Sequence, residues 1–262
     1  VDPRTSDRRA GYADELFRAR RRKGVTPRTA EKLMATARYF GMMMVRQGDA
    51  DGIVAGLSMH YPETIRPALQ VLGLQEGAGI CAGMYMLLLR DRTLFFADTT
   101  VNIDPDAETL AEIAMLTARE VARFGITPRV AMISFSNFGS NTHPEALKVK
   151  EATRIVRARD PNLVVDGEMQ VDPAVDPDLA KAEFPFSEIQ GDANVLVFPS
   201  LEAANAAYKL LMRVGGAEAV GPILLGMRYP VNVLPRGASA EEVVNMAAYT
   251  VVQAQEHQAR LV

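Results

Sequence analysis

The chain has little sulfur chemistry to offer and few aromatic side chains. A single cysteine, Cys81, excludes an internal disulfide and a cysteine-built metal cluster, and its apolar surroundings read as core. Tryptophan is absent, and Phe and Tyr bring the aromatic share only to 6%. None interleaves with the basic run Arg20-Arg21-Arg22-Lys23, which argues against a stacking platform for single-stranded nucleic acid. The three histidines, His60, His143 and His257, stand far apart, and neither Gly-x-Ser-x-Gly nor His-Glu-x-x-His occurs. Serine-hydrolase and zinc-hydrolase chemistry therefore find no support. Apolar runs such as Met42 to Val45 and Met84 to Leu89 fall far short of the roughly 20 residues that span a bilayer. The basic start, Val1 to Arg9, has no apolar segment behind it. These absences predict a protein with no membrane partner, in a reducing, cytoplasmic compartment.

What is present is an ordinary globular composition. Of 262 residues 48% are hydrophobic and 23% charged, enough for one large or two modest domains without a disulfide or metal staple. A net charge of −3 argues against general nucleic-acid binding, but its distribution is uneven. Residues 1–46 hold twelve Arg and Lys against five Asp and Glu, a surplus of seven, leaving the remainder at −10. The run Arg20 to Lys23 reads either as a solvated helix end or as an anion clamp, since guanidinium forks hold phosphate oxygens in pairs.

Helix and strand signals alternate along most of the chain. Helices are predicted from Pro27 to about Gln47, Pro62 to Val71, Pro105 to Phe124, Pro144 to Arg159, Leu201 to Val214 and from near Ala240. Strands are predicted at Asp51–Gly56, Met84–Leu89, Leu94–Ala97, Arg129–Ser134, Leu163–Val165, Val195–Phe198 and Val220–Leu225. Such alternation predicts an α/β fold with mainly parallel sheets flanked by helices. Ligands in such folds bind beyond the carboxyl ends of the strands.

Three segments are rich in chemistry. Loop Ser134-Phe-Ser-Asn-Phe-Gly-Ser140 offers small donors suited to an oxyanion or phosphate, though it is not a Walker loop. Asp166-Gly-Glu-Met-Gln-Val-Asp172 reads as turn and capping carboxylates, with a magnesium site as the alternative. Ser239 and Glu242 carry the spacing of a capping box, just after Arg236.

Taken together, Lys23-Gly-Val-Thr26, Gly48-Asp-Ala-Asp-Gly52, Thr64-Ile-Arg-Pro67, Asp166-Gly-Glu168, Ala193-Asn-Val195, Phe198-Pro199, Tyr208-Lys209, Gly221-Pro-Ile223 and Pro230-Val-Asn232 resemble the phosphate acetyltransferase family along essentially the whole chain. The resemblance implies two α/β domains with a ligand cleft between them. The first is expected at 1–76 plus 226–262 and the inserted second at 77–225. It also implies several dozen further residues at the start of the first domain, so the chain reads as a piece of a longer one.

A finer likeness is carried by Phe95-Phe-Ala-Asp-Thr-Thr-Val-Asn102, Ser136-Asn-Phe-Gly-Ser140, Asp166-Gly-Glu-Met169 and Ala203-Ala-Asn205, which resemble the C-terminal domain of bacterial NADP-dependent malic enzymes. That branch implies a regulatory domain that binds acetyl-CoA or a related acyl-CoA as effector. No cofactor is then expected in this chain; NADP and a divalent metal would belong to absent domains that oxidise malate. In active transferases, the resemblance implies, the CoA thiol attacks acetyl phosphate while a carboxylate takes its proton and a serine and arginines hold the developing anion. The family's Leu-Ser-Arg-Gly reads Leu234-Pro235-Arg236-Gly237 here, its aspartate falls on Glu242, and two further arginines match Arg20 and Arg66. Proline offers no hydroxyl, so the leading expectation is binding without turnover: Arg20, Arg66 and Arg236 on ligand phosphates, with Ser136, Asn137 and Ser140 lining the site. The alternative is an active phosphate acetyltransferase using Glu242 and Arg236. Self-association as a dimer or higher homo-oligomer is implied as well.

Overall fold

The computed structural model describes residues 1–58 and 61–259. The fold is mixed α/β with mainly parallel strand pairing and flanking helices, and it divides into two compact units, Val1–Gly77 with Met227–Val262, and Ala78–Gly226.

The first unit opens with α1 (Arg9–Arg20) and a 3-10 turn (Arg21–Lys23), then α2 (Pro27–Met34) and α3 (Ala37–Arg46). Thr26 caps α2 by accepting the Thr29 amide at 3.2 Å, and Pro27 stands where a missing N–H costs nothing. The single helix expected from Pro27 to Gln47 is broken between Met34 and Ala37. Thr36 adopts extended backbone (φ −99°, ψ 137°) and its hydroxyl donates to the Leu33 carbonyl at 2.6 Å, so it ends one helix and starts the next. Strand β1 (Ile53–Ala55) and α4 (Tyr61–Val71) follow. The glycine-flanked strand is half-buried along its length.

The second unit is built on a six-stranded sheet. Its elements in order are β2 (Ala82–Leu88), β3 (Thr93–Ala97), α5 (Ala107–Arg123), β4 (Arg129–Ile133), α6 (Pro144–Arg159), β5 (Val164–Met169), α7 (Val171–Val175), α8 (Pro177–Glu183), β6 (Val195–Val197), α9 (Leu201–Arg213) and β7 (Glu218–Leu225). The strand order is β5-β4-β6-β3-β2-β7; β2 runs antiparallel to both its neighbours and the other pairs are parallel. The α5 stripe of Leu110, Ile113, Ala114, Leu116, Ala118 and Val121 is fully buried. Strand β5 runs four residues beyond its predicted end at Val165. Helices α7 and α8 are not among the predicted elements, although Asp176 before Pro177 is a helix-start signal whose side chain accepts the Asp178 and Leu179 amides.

The chain then returns to the first unit with β8 (Val231–Val233) and α10 (Ala240–Ala259). β8 pairs in parallel with β1, Val54 opposite Asn232. Asn232 is fully buried and donates its amide to Thr250 Oγ1 (2.9 Å) and Gln253 Oε1 (2.7 Å), fixing α10 to the strand. A core of Tyr12, Leu16, Met34, Phe40, Met43 and Val71, with their neighbours, holds this unit together.

Candidate functional site

The predicted site residues fall into the two units, and each group has its own local construction. In the first unit Arg20 ends α1, Arg66 lies on α4 and Arg236 sits in the turn before α10. Arg66 and Tyr39 line a pocket of about 250 Å3 with Arg38, Pro62, Glu63 and Pro67. Tyr39 donates its hydroxyl to Gln70 Oε1 at 2.6 Å, joining α3 to α4. Burial pushes the Tyr39 phenol up from its ordinary range, and the guanidinium groups of Arg66, Arg38 and Arg20 pull it back. Three arginines thus share one electrostatic neighbourhood. Arg20 Nε is buried with no hydrogen-bond partner among the described residues, as is Thr64 Oγ1 on α4. A buried guanidinium N–H without a partner is uncommon, and an anion is the natural group to supply one. The rest of the basic run, Arg21 to Lys23, is exposed in its short turn and matches the solvated helix end.

Arg236 is exposed at the corner of a turn closed by the Ala238 amide on the Pro235 carbonyl (3.2 Å), with Gly237 at φ +75°. Glycine at this position lets the turn form. The capping box read from the sequence is present: Ser239 N–H donates to Glu242 Oε2 at 2.6 Å, and Glu242 N–H to Ser239 Oγ at 3.1 Å. Glu242 is therefore aimed by the helix start itself, a few residues from Arg236.

In the second unit the 134–140 loop is tied to the end of β5. Glu168 Oε1 accepts from Ser136 Oγ (3.1 Å) and from the Gly139 amide (2.6 Å), while the Phe138 amide donates to the Glu168 carbonyl (2.8 Å). Asn137 exchanges two bonds with Gln170, through its amide at 3.1 Å and its carbonyl oxygen at 2.7 Å. Ser140 Oγ lies 3.2 Å from Ser136 Oγ and accepts the Asn137 amide at 3.0 Å. These bonds hold Phe138 at φ 48°, an unusual backbone for a bulky residue. Glu168 is 1% exposed, and its Oε2 has no partner among the described residues.

The Asp166-Gly-Glu segment is therefore strand rather than a turn after one. Asp166 is buried and accepts from Arg157 (2.6 Å), Ser187 Oγ (2.8 Å) and the Glu188 amide (2.9 Å). The carboxylates are used to fasten loops, and among the described residues no three His, Cys, Asp or Glu are grouped so as to hold a metal ion. Cys81 is buried, and burial, with Asp98 nearby, pushes its thiol up to about 12, so it stays a protonated core residue. His143 caps α6 by accepting the Glu145 amide (3.3 Å), His257 packs against Tyr229, and His60 lies outside the described residues.

Sequence reasoning missed Arg38, Tyr39 and Glu63 beside Arg66, and Glu168 and Gln170 beneath the serine loop. The first set was traceable in part, because Pro62, Glu63, Arg66 and Pro67 recur at one-turn spacing on a predicted helix. The second required knowing how far β5 extends.

Comparison with known proteins places this architecture. The sequence profile described as phosphate acetyl/butaryl transferase matches residues 1–251. The chain is 45% identical to the phosphate acetyltransferase of Bacillus subtilis over 97% of its own length and 78% of that protein's. It is 41% identical to the phosphate acetyltransferase of Synechocystis, covering 97% of this chain but 36% of that protein. A crystal structure of a phosphotransacetylase from Streptococcus pyogenes superposes with a TM-score of 0.93 at 39% identity, covering 97% of this chain and 78% of the other. These relatives overturn the malic-enzyme branch. They are phosphate acetyltransferases at 41–45% identity along nearly the whole chain, not malic enzymes. The reading of the chain as an allosteric acetyl-CoA-binding domain of an NADP-dependent oxidoreductase is accordingly withdrawn. No helix among the described residues is long and apolar enough to cross a membrane.

Proposed function

This chain belongs to the phosphate acetyl/butaryl transferase family, and we propose that it transfers an acetyl group between acetyl phosphate and coenzyme A. The observation that carries the reading is the 45% identity to a phosphate acetyltransferase across almost the whole chain. The arginine neighbourhood around Tyr39, with its unpartnered Arg20 Nε, supports it chemically.

In the proposed reaction the CoA sulfur attacks the acetyl carbonyl carbon. The C–S bond forms, the bond from carbonyl carbon to the bridging oxygen breaks, and inorganic phosphate leaves with that oxygen. Glu242 takes the thiol proton as the C–S bond forms, a role its capping bond to the Ser239 amide orients. Arg20, Arg66 and Arg236 hold phosphoryl oxygens and stabilise the charge that develops on the carbonyl oxygen. Of the loop residues, Asn137 and Ser140 are the ones that would contact the acyl-CoA, while Ser136, fully buried against Glu168, fastens the loop together with Gln170. The transfer as written draws on no cofactor from this chain. A cytoplasmic setting and assembly as a dimer or higher homo-oligomer belong to the same proposal, and sedimentation of the purified chain tests the assembly.

The purified chain, given acetyl phosphate and CoA, is expected to form the thioester, followed by its absorbance and by loss of free thiol. A chain that binds both substrates and forms no thioester contradicts the proposal.

A further inference from the structure

Arg38 belongs to none of the motifs that carry the family resemblance, yet it lines the same pocket as Arg66. Its contacts there involve the turn of α4 that contains Pro67. A helix interior residue at 67 would donate its N–H to the carbonyl of Glu63; proline has none, so no N–H of residue 67 reaches that carbonyl. Arg38 Nη1 takes it up at 3.4 Å and lies 3.7 Å from the Glu63 carboxylate. Both distances are at the long end for such contacts, and both side chains remain partly exposed. The guanidinium is therefore steered to the pocket but only loosely held.

The charge count points to one ligand class. Arg38 and Arg66 line the pocket, and Glu63 is the one carboxylate in its lining. Two guanidinium groups against one carboxylate leave the lining positive. A phosphoryl group carries close to two negative charges at neutral pH, and its three terminal oxygens accept more forked donors than a carboxylate can. We propose that Arg38 is a further phosphate ligand of this pocket, and that Glu63 competes with the phosphoryl group for it. This rests on the transferase reading for which phosphoryl group is meant: that of acetyl phosphate, or one belonging to CoA.

The test uses the full chain with inorganic phosphate as probe, measured by isothermal titration, and acetate as the singly charged control. Arg38→Ala is expected to weaken phosphate binding about tenfold, with Arg38→Lys between it and the parent. Glu63→Gln is expected to tighten phosphate binding, because it removes the competitor; a merely structural role for the pair would move both variants the same way. Unfolding curves on each variant separate a folding defect from a binding one. Steady-state assays then identify the source: a raised KM for acetyl phosphate alone assigns the pocket to the small substrate, and a raised KM for CoA alone assigns it to a CoA phosphate. Unchanged phosphate affinity in Arg38→Ala overturns the inference even if the chain is an active transferase. Arg38-dependent phosphate binding in a chain without transferase activity upholds it while the transferase reading falls.

Discussion

Single residues carry most of the chemistry that can be tested. Pro235 stands where the family resemblance implies a serine, and proline supplies neither a hydroxyl nor an N–H to an oxyanion. Loss of one such donor lowers turnover by roughly 10²–10³. Pro235→Ser is accordingly expected to raise kcat by about tenfold or more, while Arg236→Ala lowers it; steady-state kinetics at saturating CoA read both. Cys81 makes a prediction in pH. Its thiol is pushed up to about 12 in the folded chain against roughly 8.5 when exposed. The folded state thus favours the protonated thiol. The stability that follows is fully present below about pH 8.5 and is lost as pH rises from there toward 12. Denaturation midpoints measured across that window should fall, and should fall less steeply in Cys81→Ala. Native Cys81 should also resist alkylation at pH 8 and react only on unfolding.

At the scale of elements, the loops beyond the strands are held by buried carboxylates. Asp98, at the end of β3, accepts from the amides of Gly83 (3.0 Å), Thr100 (2.8 Å), Val101 (3.0 Å) and Asn102 (2.9 Å), and from the Asn102 side chain (2.5 Å). Asp98→Asn would turn an amide group toward donors that need an acceptor. It is expected to cost about 2 kcal/mol in chemical denaturation, a loss that Asp98→Glu does not restore. The capping box gives a smaller figure: Ser239→Ala is expected to remove about 1 kcal/mol in chemical denaturation, while the bond from the residue 239 amide to the Glu242 carboxylate, and with it kcat, is kept. Most elements were legible from the sequence. The helices at Pro62, Pro105, Pro144 and Leu201 carry capping residues, prolines or one-sided apolar stripes, and these local signals act before any tertiary contact. The failures have local causes too. Thr36 breaks a helix through its own hydroxyl bond, which helical periodicity on either side conceals. Asp166 and Glu168 look like turn residues until Arg157, Ser187 and Ser136 are there to satisfy them.

For the whole molecule, the family was legible because the shared motifs run from one end of the chain to the other. The branch was misjudged for a physical reason. Phe95–Asn102, Ser136–Ser140 and Asp166–Met169, which suggested the malic-enzyme domain, contain Asp98, Ser136, Asp166 and Glu168, and each of these is buried and bonded within its own unit. Such residues report how loops are held, not which reaction follows. The surplus of positive charge in residues 1–46 was the better guide, since Arg20 and Arg38 both come from it. Pairing of arginines around one phenol was invisible, because it depends on α1, α3 and α4 packing together.

The most direct test is the stoichiometry of the reaction in the presence and absence of the arginine pair. With acetyl phosphate and CoA, the purified chain should release one inorganic phosphate for each acetyl-CoA formed. Arg20→Ala and Arg66→Ala should each lower kcat/KM for acetyl phosphate by at least about tenfold while the protein stays folded. Phosphate release without thioester, or turnover indifferent to both substitutions, would contradict the account.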